Sequence, residues 1–463
     1  MIRPPGPLGE RLAGNGPAYE QDRLGFMVRM SEEYGAIWSF DRHIVVVADP
    51  ALAGDVLLRT NTDFGAEVDF LHRKQKDDAE TRRQWASSRA ARMRAMRPTA
   101  MHVQIPMMAA EIGGGISRWG TGDIDVVDRM RAVTAAVGAL FCLSDDAHLV
   151  AGLARELFGA LTPVVSSTMP LPLWLPLPRH RRVMRANRQL EGVIGQVIKR
   201  RRGEARDGGR DLLDVLMQPT ARHGELPEAI IRETVVATLL AAENTSAAGF
   251  GWVVHELSRN PEAQERAAEE AAAVLPDPAS ISHTDYNQLG YTARVVKEAL
   301  RLWPPNWMMA RHVLRETTLG GYTLERGTKV MVPAYVIQRD ARWFPDPERF
   351  DPDRWLPDGS GTAAPSNAYL PFGAGPLICM GMSWSLIEMT LAAALMVRSF
   401  RVSQPSGAKV VPDPSRGLAP TGLMVRLDAR PSIGQSYPSA AHPAPVRTPV
   451  SDERRCPVAD GIE

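Results

Sequence analysis

The longest periodic segment of the sequence is EAIIRETVVATLLAAENTSAAGFGWVVHELSR, which runs from Glu228 to Arg259. At the usual helical rise it spans about nine turns. Between Val235 and Ala242 it is apolar on nearly every side, and a helix with this pattern must be buried all round. Asn260 and Pro261 then predict the end of this helix and the start of the next one. We therefore expect a domain with one long helix in its interior.

The other periodic segments predict a mainly α fold with small β-sheets. Helical spacing dominates residues 50–258 and returns in YTARVVKEALRLW and SWSLIEMTLAAALMVRSF. Alternating apolar residues predict a hairpin over residues 37–47, and strands with a Gly-Gly turn follow in TTLGGYTLERGTKVMV. We expect one large domain over residues 1–428. Residues 429–463 are rich in Pro, Ser and Ala without periodicity, which predicts a disordered tail.

Composition narrows the classes of function. The chain has 463 residues and a formal net charge of +1, so no charge excess favours a nucleic-acid partner. No run of about 18 apolar residues predicts a membrane span, and the N-terminus lacks the apolar core of a signal peptide. Three scattered cysteines, Cys142, Cys379 and Cys456, do not form a disulfide framework. We therefore expect a reducing, cytoplasmic location.

Cys379 lies in the stretch AYLPFGAGPLICMGMSWSLIEM, between a glycine-rich loop and a helical pattern. It can be a buried structural cysteine, a chance loop residue or a thiolate metal ligand. A helix N-terminus stabilises a thiolate, and Gly373, Gly375 and Gly381 let a flat ligand approach the backbone closely. Phe372 can pack beside the sulfur. This combination suits a cysteine-ligated haem.

The same stretch resembles the haem-binding loop of the cytochrome P-450 family, whose pattern is Phe-x-x-Gly-x-Arg-x-Cys-x-Gly. Phe372, Gly375, Cys379 and Gly381 match it, and Leu377 replaces the arginine. The resemblance, which extends over residues 20–428, implies haem b with Cys379 as the axial iron ligand. The loss of the arginine affects haem electrostatics and the docking of a redox partner.

A second motif is KEALR, which contains Glu298 and Arg301 one helical turn apart. By spacing alone they form an ordinary ion pair, which can lie at the surface. The resemblance implies instead a buried structural network with a second arginine, which we assign to Arg349 in FPDPERF.

The central helix contains LLAAENTS, which resembles the oxygen-side motif of the family. Ala241 and Ala242 would leave room for O2, and Thr245 would hydrogen-bond to it and help deliver protons. Thr245 can equally be a helical threonine bonded back to the preceding turn. Asn244 takes the position of the family's acid, and an amide cannot titrate. Glu243 is adjacent but lies about 100° round the helix, so it is not an obvious substitute.

Haem carboxylates need cationic partners. Trp85 and Arg89 match the family's Trp-x-x-x-Arg spacing, although a register shifted by one turn keeps only Arg89. The alternative is a basic, solvated helix face. Arg311 is a second candidate, because the family has an arginine before its first strand in this region.

The resemblance implies a haem-thiolate monooxygenase that hydroxylates a lipophilic natural product. The expected apolar pocket consists of Ala241, Ala242, Trp307, Met308 and Met309. The sequence looks most like bacterial members that act on terpenes, and the proline-rich run Met169–Pro178 resembles an entrance loop or is a surface connection. No Rossmann glycine fingerprint is found, so we expect electrons from a ferredoxin and a ferredoxin reductase, with NAD(P)H used only indirectly.

Two other functions stay open at this point. One is a peroxide-dependent peroxygenase acting on fatty acids or other lipids, which the amide at Asn244 favours and Thr245 disfavours. The other is a non-catalytic haem protein that serves as a partner in a biosynthetic pathway. Cys142 is expected to be a small core residue, and Cys456 has no predicted role.

Overall fold

The computed structural model describes residues 3–10, 13–66, 79–97, 101–165, 173, 175–204, 211–219, 224–275, 280–357, 364–415 and 417–431. Residues 169–172 and 174 of the proline-rich run lie outside these ranges, as do residues 432–463 of the predicted tail, including Cys456. Among the described residues, no helix is both long and apolar enough to cross a membrane.

Helices make up most of the described chain. They are α1 (Gly16–Gln21), α2 (Arg23–Tyr34), α3 (Pro50–Leu58), α4 (Ala79–Ala95), α5 (Ile105–Ser117), α6 (Val126–Leu143), α7 (Ala147–Val165), α8 (Pro178–Arg202), α9 (Leu212–Met217), α10 (Glu228–Arg259), α11 (Pro261–Val274), α12 (His283–Gln288), α13 (Gly290–Leu302), α14 (Ala334–Ile337) and α15 (Met382–Ser399). The predicted long helix is α10. Asn260 precedes Pro261 as expected, but its side chain donates to the Glu256 carbonyl instead of capping α11.

The strands are short and form small sheets. They are β1 (Ile37–Ser39), β2 (Ile44–Val47), β3 (Phe64–Ala66), β4 (Gly122–Asp125), β5 (Met309–Val313), β6 (Thr317–Leu319), β7 (Tyr322–Leu324), β8 (Lys329–Val332), β9 (Phe400–Ser403), β10 (Val411–Asp413), β11 (Ala419–Thr421) and β12 (Met424–Ala429). One sheet has the order β1-β2-β8-β5-β3, and another has the order β4-β12-β9. The pairs β6-β7 and β10-β11 are separate hairpins.

The two predicted hairpins are confirmed. In the first, Ile37 pairs with Val47 in antiparallel register. In the second, Gly320 and Gly321 connect β6 to β7 with φ values of +56° and +83°. A two-residue turn with both φ angles positive matches the twist of the strands, and glycine adopts it without strain.

The interior of the fold forms around α10. A Cβ atom added at Gly249 would lie 2.8 Å from Met389 Sδ of α15. A Cβ atom added at Gly251 would lie 2.7 Å from a methyl group of Val127 in α6. These close approaches bring α6 and α15 against opposite parts of α10. Cys142, in α6, is fully buried as expected. The fold is therefore mainly α with small sheets, and α15 places the segment after Cys379 against the central helix.

Candidate functional site

The cysteine loop, residues 370–381, is held by main-chain hydrogen bonds. The Cys379 N–H donates to the Phe372 carbonyl at 2.9 Å, and the Ile378 N–H donates to the Gly375 carbonyl at 3.0 Å. Helix α15 begins at Met382, directly after Gly381. Phe372 is partly buried and packs against the main core. The loop therefore has a defined shape that does not depend on polar side chains of its own.

The Cys379 side chain is exposed in this loop, although protein atoms surround much of the sulfur. Burial is the main influence on the thiol and raises the pKa of Cys379, whereas a hydrogen bond from the Gly381 N–H and the charge of Arg89 lower it. Backbone donation and a nearby cation favour the thiolate form. Cys379 is thus an accessible sulfur with two groups that stabilise its negative charge.

Gly375 brings the loop into direct contact with the end of α3. Its φ is +70°, and a Cβ atom here would lie 2.2 Å from the Leu57 carbonyl oxygen. No other residue fits this position without moving the backbone. Gly373 also has a positive φ, of +71°, and lies beside Met309 Sδ.

A buried polar network supports the start of the loop. Arg301 donates to both carboxyl oxygens of Glu298, at 2.8 and 2.9 Å, and both side chains are 0% exposed. Arg301 also donates to the Gln338 carbonyl at 2.9 Å, and the Gln338 side-chain oxygen accepts the Leu370 N–H at 2.6 Å. The predicted pair is therefore buried, and Gln338, which no sequence signal singled out, connects it to the cysteine loop.

The assignment of Arg349 to this network is wrong. The Arg349 side chain is exposed, and only its carbonyl accepts a hydrogen bond from Arg301, at 3.2 Å. The second arginine is Arg354, which is buried and donates to Glu298 Oε1 at 3.3 Å, while Trp355 Nε1 donates to Oε2 at 2.9 Å. Arg354 lies five residues beyond Arg349, in the segment FDPDRW that directly follows it. Only tertiary packing distinguishes the two arginines.

Arg89 reaches the cysteine loop from α4. Its guanidinium donates to the Pro376 carbonyl at 2.6 Å and to the Ile378 carbonyl at 3.3 Å. These two carbonyls flank Leu377, the residue that replaces the family's arginine. Trp85 lies on α4, but its side chain is outside the described part of the structure.

Arg311 approaches the loop by a different route. It is buried in β5, and its Nε atom donates to Thr60 Oγ1 at 3.0 Å. The Thr60 hydroxyl donates to the Leu57 carbonyl at 2.7 Å, which is the carbonyl that packs against Gly375. Burial lowers the pKa of Arg311. Arg89 therefore contacts the cysteine loop directly, whereas Arg311 is linked to it through Thr60 and Leu57. Thr60 is an additional member that the sequence did not reveal.

The 241–246 segment of α10 presents two residues on one accessible face. Ala241 and Thr245, one turn apart, are both exposed. The Thr245 hydroxyl donates to the Ala241 carbonyl at 2.9 Å, as in the back-bonded alternative. Ala242 points toward α6, where a Cβ atom added at Gly138 would lie 3.0 Å from the Ala242 Cβ. Ala242 is only partly buried, so its place in the substrate pocket stays a prediction.

Asn244 and Glu243 line a cleft of about 570 Å³ between α6, α7, α10 and the β10-β11 hairpin. Arg131 of α6 and Arg155 of α7 line it as well. Neighbouring residues on a helix point about 100° apart, which predicted different surroundings for Glu243 and Asn244. The cleft is wide enough that both side chains line it.

Helix α15 contributes a second buried acid beside α10. Glu388 is 1% exposed, and neither of its carboxyl oxygens has a hydrogen-bond partner among the described residues. Burial raises the pKa of Glu388 to about 8, although the nearby Ser246 hydroxyl acts to lower it. Ser246 Oγ lies 3.4 Å from Ser385 Oγ, so polar side chains connect α10 and α15.

The predicted pocket residues near β5 lie in different surroundings. Trp307 is buried in an aromatic cluster, and its Nε1 atom donates to the Pro414 carbonyl at 3.0 Å. Its assignment to the pocket is corrected to a core role, because an indole that is buried and hydrogen-bonded offers little surface to a substrate. Met308 is partly buried, and Met309 contacts the cysteine loop at Gly373.

Comparison with known proteins gives a consistent result. The profile of the cytochrome P-450 family matches residues 143–426. Two relatives from Streptomyces melanosporofaciens are cyclooctat-9-en-7-ol 5-monooxygenase, 34% identical over 65% of this chain, and cyclooctatin synthase, 36% identical over 64%. The chain covers 66% and 65% of their lengths, just under two thirds.

The fold comparison extends over more of the chain. A retinoic acid-bound cyanobacterial cytochrome P-450 superposes on 93% of this chain and 100% of its own, with a TM-score of 0.78 and 21% identity. That likeness concerns the fold, whereas the family profile concerns the sequence and covers more than half of the chain. From the fold, the cysteine loop and this match, we conclude that the chain belongs to the cytochrome P-450 family.

Proposed function

We propose that this protein is a haem-thiolate monooxygenase that hydroxylates a lipophilic terpenoid, using O2 and electrons from separate redox partners. The observation that carries the proposal is the exposed Cys379 sulfur at the start of α15, which accepts a hydrogen bond from the Gly381 N–H. The family implies a haem-thiolate cofactor, and a thiolate in such a loop is the ligand that this cofactor requires.

The surrounding residues fit haem b. Gly375 has no space for a Cβ atom, so the loop is packed tightly against α3 while the sulfur remains accessible. Arg89 and Arg311, which approach the same loop from α4 and β5, are cations suited to the two haem carboxylates. Cys379 would hold the iron, and these arginines would orient the cofactor.

When bound, the haem supplies the oxidising chemistry, because its iron activates O2 with two electrons and two protons. Ala241, with its single methyl group, leaves room on the exposed face of α10. Thr245 Oγ1 donates its one hydrogen to the Ala241 carbonyl, so its lone pairs can accept a hydrogen bond from solvent. To donate toward the oxygen side, the hydroxyl would turn away from that carbonyl. Asn244 can orient that solvent but cannot supply the proton itself.

The substrate class rests on relatives and on the apolar character of the expected pocket. The relatives named above include a monooxygenase of cyclooctat-9-en-7-ol, and related family members act on terpenoids. Ala241, Met308 and Met309 would provide apolar contacts to such a molecule. A polycyclic terpene alcohol or its hydrocarbon precursor is therefore the substrate that we test first.

Electrons would come from a ferredoxin and its reductase, with NAD(P)H as the distant donor. Family members typically use separate redox partners. The last turn of α4 carries Arg92 and Arg94 close in sequence to Arg89, and such basic residues favour the approach of an acidic ferredoxin. We expect this reaction in the cytoplasm.

The first experiment is an optical titration of the purified ferric holoprotein. Cyclooctat-9-en-7-ol, terpene hydrocarbons and fatty acids are added separately while the Soret band is recorded. We expect a low-spin to high-spin shift with terpenoids and none with fatty acids of similar size. Turnover with NADPH, a ferredoxin and a ferredoxin reductase should then yield a product heavier by one oxygen atom. A preparation that holds haem but shows neither the shift nor the product contradicts the proposal.

A second candidate is a peroxide-dependent peroxygenase, because the amide of Asn244 occupies the position of the acid in a cleft open to solvent. Product formed with hydrogen peroxide alone, at a rate at least equal to that with the ferredoxin system, would favour this candidate. Fatty acids are included in the same assay.

A further inference from the structure

Glu243 is a buried carboxyl group to which the family resemblance assigns no role. Its side chain is 3% exposed, and its Oε2 atom has no hydrogen-bond partner among the described residues. Leaving a buried acid without a partner costs stability, so such a group in a folded protein calls for an explanation. The Glu243 backbone, by contrast, is firmly held: its carbonyl accepts a hydrogen bond from Thr134 Oγ1 of α6 at 2.9 Å.

Two arginines from neighbouring helices share the cleft with Glu243. Arg131 comes from α6 and Arg155 from α7. The Nε atom of Arg131 is itself buried without a hydrogen-bond partner. Burial raises the pKa of Glu243 to about 7, whereas the charges of Arg155 and Arg131 lower it. A group with these properties gains and loses a proton near neutral pH, where an acid–base relay works best.

The cleft connects Glu243 with solvent and with the next residue of α10. Asn244 lines the same cleft, whereas Thr245, the next residue, is outside its lining and lies on the accessible face of α10, about 200° round the helix from Glu243. Arg155 is exposed, so solvent screens its charge at Glu243, and the same holds for the remaining charged residues that line the cleft. They are Asp125 at the end of β4, Asp128 in the first turn of α6, Glu156 of α7, and Asp413 of β10.

Building on the proposed function, we propose that Glu243 is the acid that relays protons from the open cleft to Asn244 and, beyond it, to Thr245, in place of the acid missing at position 244. In each cycle the O–H bond of the Glu243 carboxyl group breaks and its proton passes to water, which the Asn244 amide orients. The carboxylate then takes a proton from bulk solvent. Arg131 and Arg155 stabilise the carboxylate between these two steps.

Infrared difference spectra of the ferric full-length protein across a pH titration test the protonation step without turnover. We expect a carboxyl signal that titrates near pH 7 in the wild type. Glu243→Gln should remove it, whereas Glu156→Gln, which changes an exposed acid in the same cleft, should keep it. Arg155→Gln should move the titration to higher pH, because it removes a positive charge that favours the carboxylate. A wild-type spectrum without this signal overturns the proposal.

Turnover tests the relay itself. With a terpenoid that gives the Soret shift, Glu243→Gln should lower the product formed per NADPH by about tenfold, a modest share of what general acid catalysis contributes. It should also raise the solvent deuterium isotope effect, while the Soret shift itself stays unchanged. Glu156→Gln should behave as the wild type in all three measurements.

The outcomes separate the two proposals. If Glu243→Gln retains wild-type coupling and isotope effect, the relay is wrong and the proposed function stands. If the wild type yields no product with its redox partners, the proposed function is wrong, and the relay falls with it even where the carboxyl signal titrates.

Discussion

The cysteine loop and the 241–246 segment of α10 differ in what determines their properties. In the loop, main-chain hydrogen bonds and tightly packed glycines set the position of Cys379. In α10, the backbone is an ordinary helix, and the properties depend on which side chains face the cleft. Each segment lacks one charged residue of the family pattern: Leu377 replaces an arginine in the loop, and Asn244 replaces an acid in the helix.

This difference changes what each departure means. Replacing the loop arginine by Leu377 leaves the loop intact, because its hydrogen bonds are made by the backbone and Arg89 contacts the carbonyls on both sides. Replacing the acid by Asn244 removes a titratable group outright, and we infer that the neighbouring Glu243 takes its place. A motif held by the backbone tolerates substitution, whereas one that depends on a side chain requires a substitute nearby.

The largest expected effect is on the loop side. Cys379→Ala should abolish thiolate ligation, because no other cysteine lies in the loop. The reduced carbon monoxide complex of the variant should lose the long-wavelength Soret band of a thiolate-ligated haem, and turnover should cease. Cys142→Ala, at a buried cysteine in α6, should keep that band. An unchanged spectrum in Cys379→Ala would refute the assigned ligand.

Gly375→Ala should be the next most damaging change. It combines a left-handed backbone angle with a Cβ atom 2.2 Å from the Leu57 carbonyl oxygen, and together these should cost about 3 kcal/mol. Gly381→Ala is the matched control, because its φ is −81° and the nearest atom to a new Cβ is Cys379 Sγ at 3.9 Å. Urea unfolding of both holoproteins checks the prediction. Equal midpoints would mean that the loop is not held by packing at Gly375.

Arg354→Ala should destabilise the network behind the loop by about 2 kcal/mol, because Glu298 then loses one of its charged hydrogen bonds. Arg349→Ala should change the free energy of unfolding by less than about 0.5 kcal/mol, since its side chain is exposed and its carbonyl remains. Comparing urea midpoints tests the corrected assignment. A larger loss in Arg349→Ala would restore the sequence-based one.

Glu388 lies between the two segments, on α15 beside Ser246, and its effect should depend on pH. Burial raises the pKa of Glu388 from 4.5 to about 8, so the native protein keeps the proton more tightly than the unfolded chain. Its contribution to stability is full below pH 4.5 and is lost as the pH rises through about 8.

Above pH 8, Glu388→Gln should therefore unfold at a higher urea concentration than the wild type. Its free energy of unfolding should also change less with pH than that of the wild type. The gain should be modest, because the amide is also buried without partners. Glu269→Gln, at an exposed position of α11, should leave the pH profile unchanged. If the profile of Glu388→Gln keeps the wild-type slope, another group causes it.

The smallest expected effect is on the helix side. Asn244→Asp restores an acid in the cleft and should raise the product formed per NADPH about twofold in the wild-type background. In the Glu243→Gln background the gain should be larger, because the added acid then replaces the missing relay. Asn287→Asp, at an exposed site of α12, should have no effect. No gain in either background would mean that the acid position does not limit coupling.

The sequence by itself determined the mainly α fold, the long helix α10, both hairpins and the loop that presents Cys379. These features depend on local periodicity, on turn residues and on a motif about a dozen residues long. All of these are properties of residues that are close together in the sequence. It also predicted the buried pair of Glu298 and Arg301, although only as what a family resemblance implied. The roles of Arg89 and Arg311 at the haem stay predictions.

Only the tertiary structure decided which residues meet across long separations. It selected Arg354 over Arg349, added Thr60 and Gln338 as connections to the loop, and moved Trp307 from the pocket to a packed position. It also brought Arg131 and Arg155 to Glu243. The physical reason is that burial and charge pairing depend on how helices distant in sequence pack together. The residues next to a position in the chain do not specify that packing.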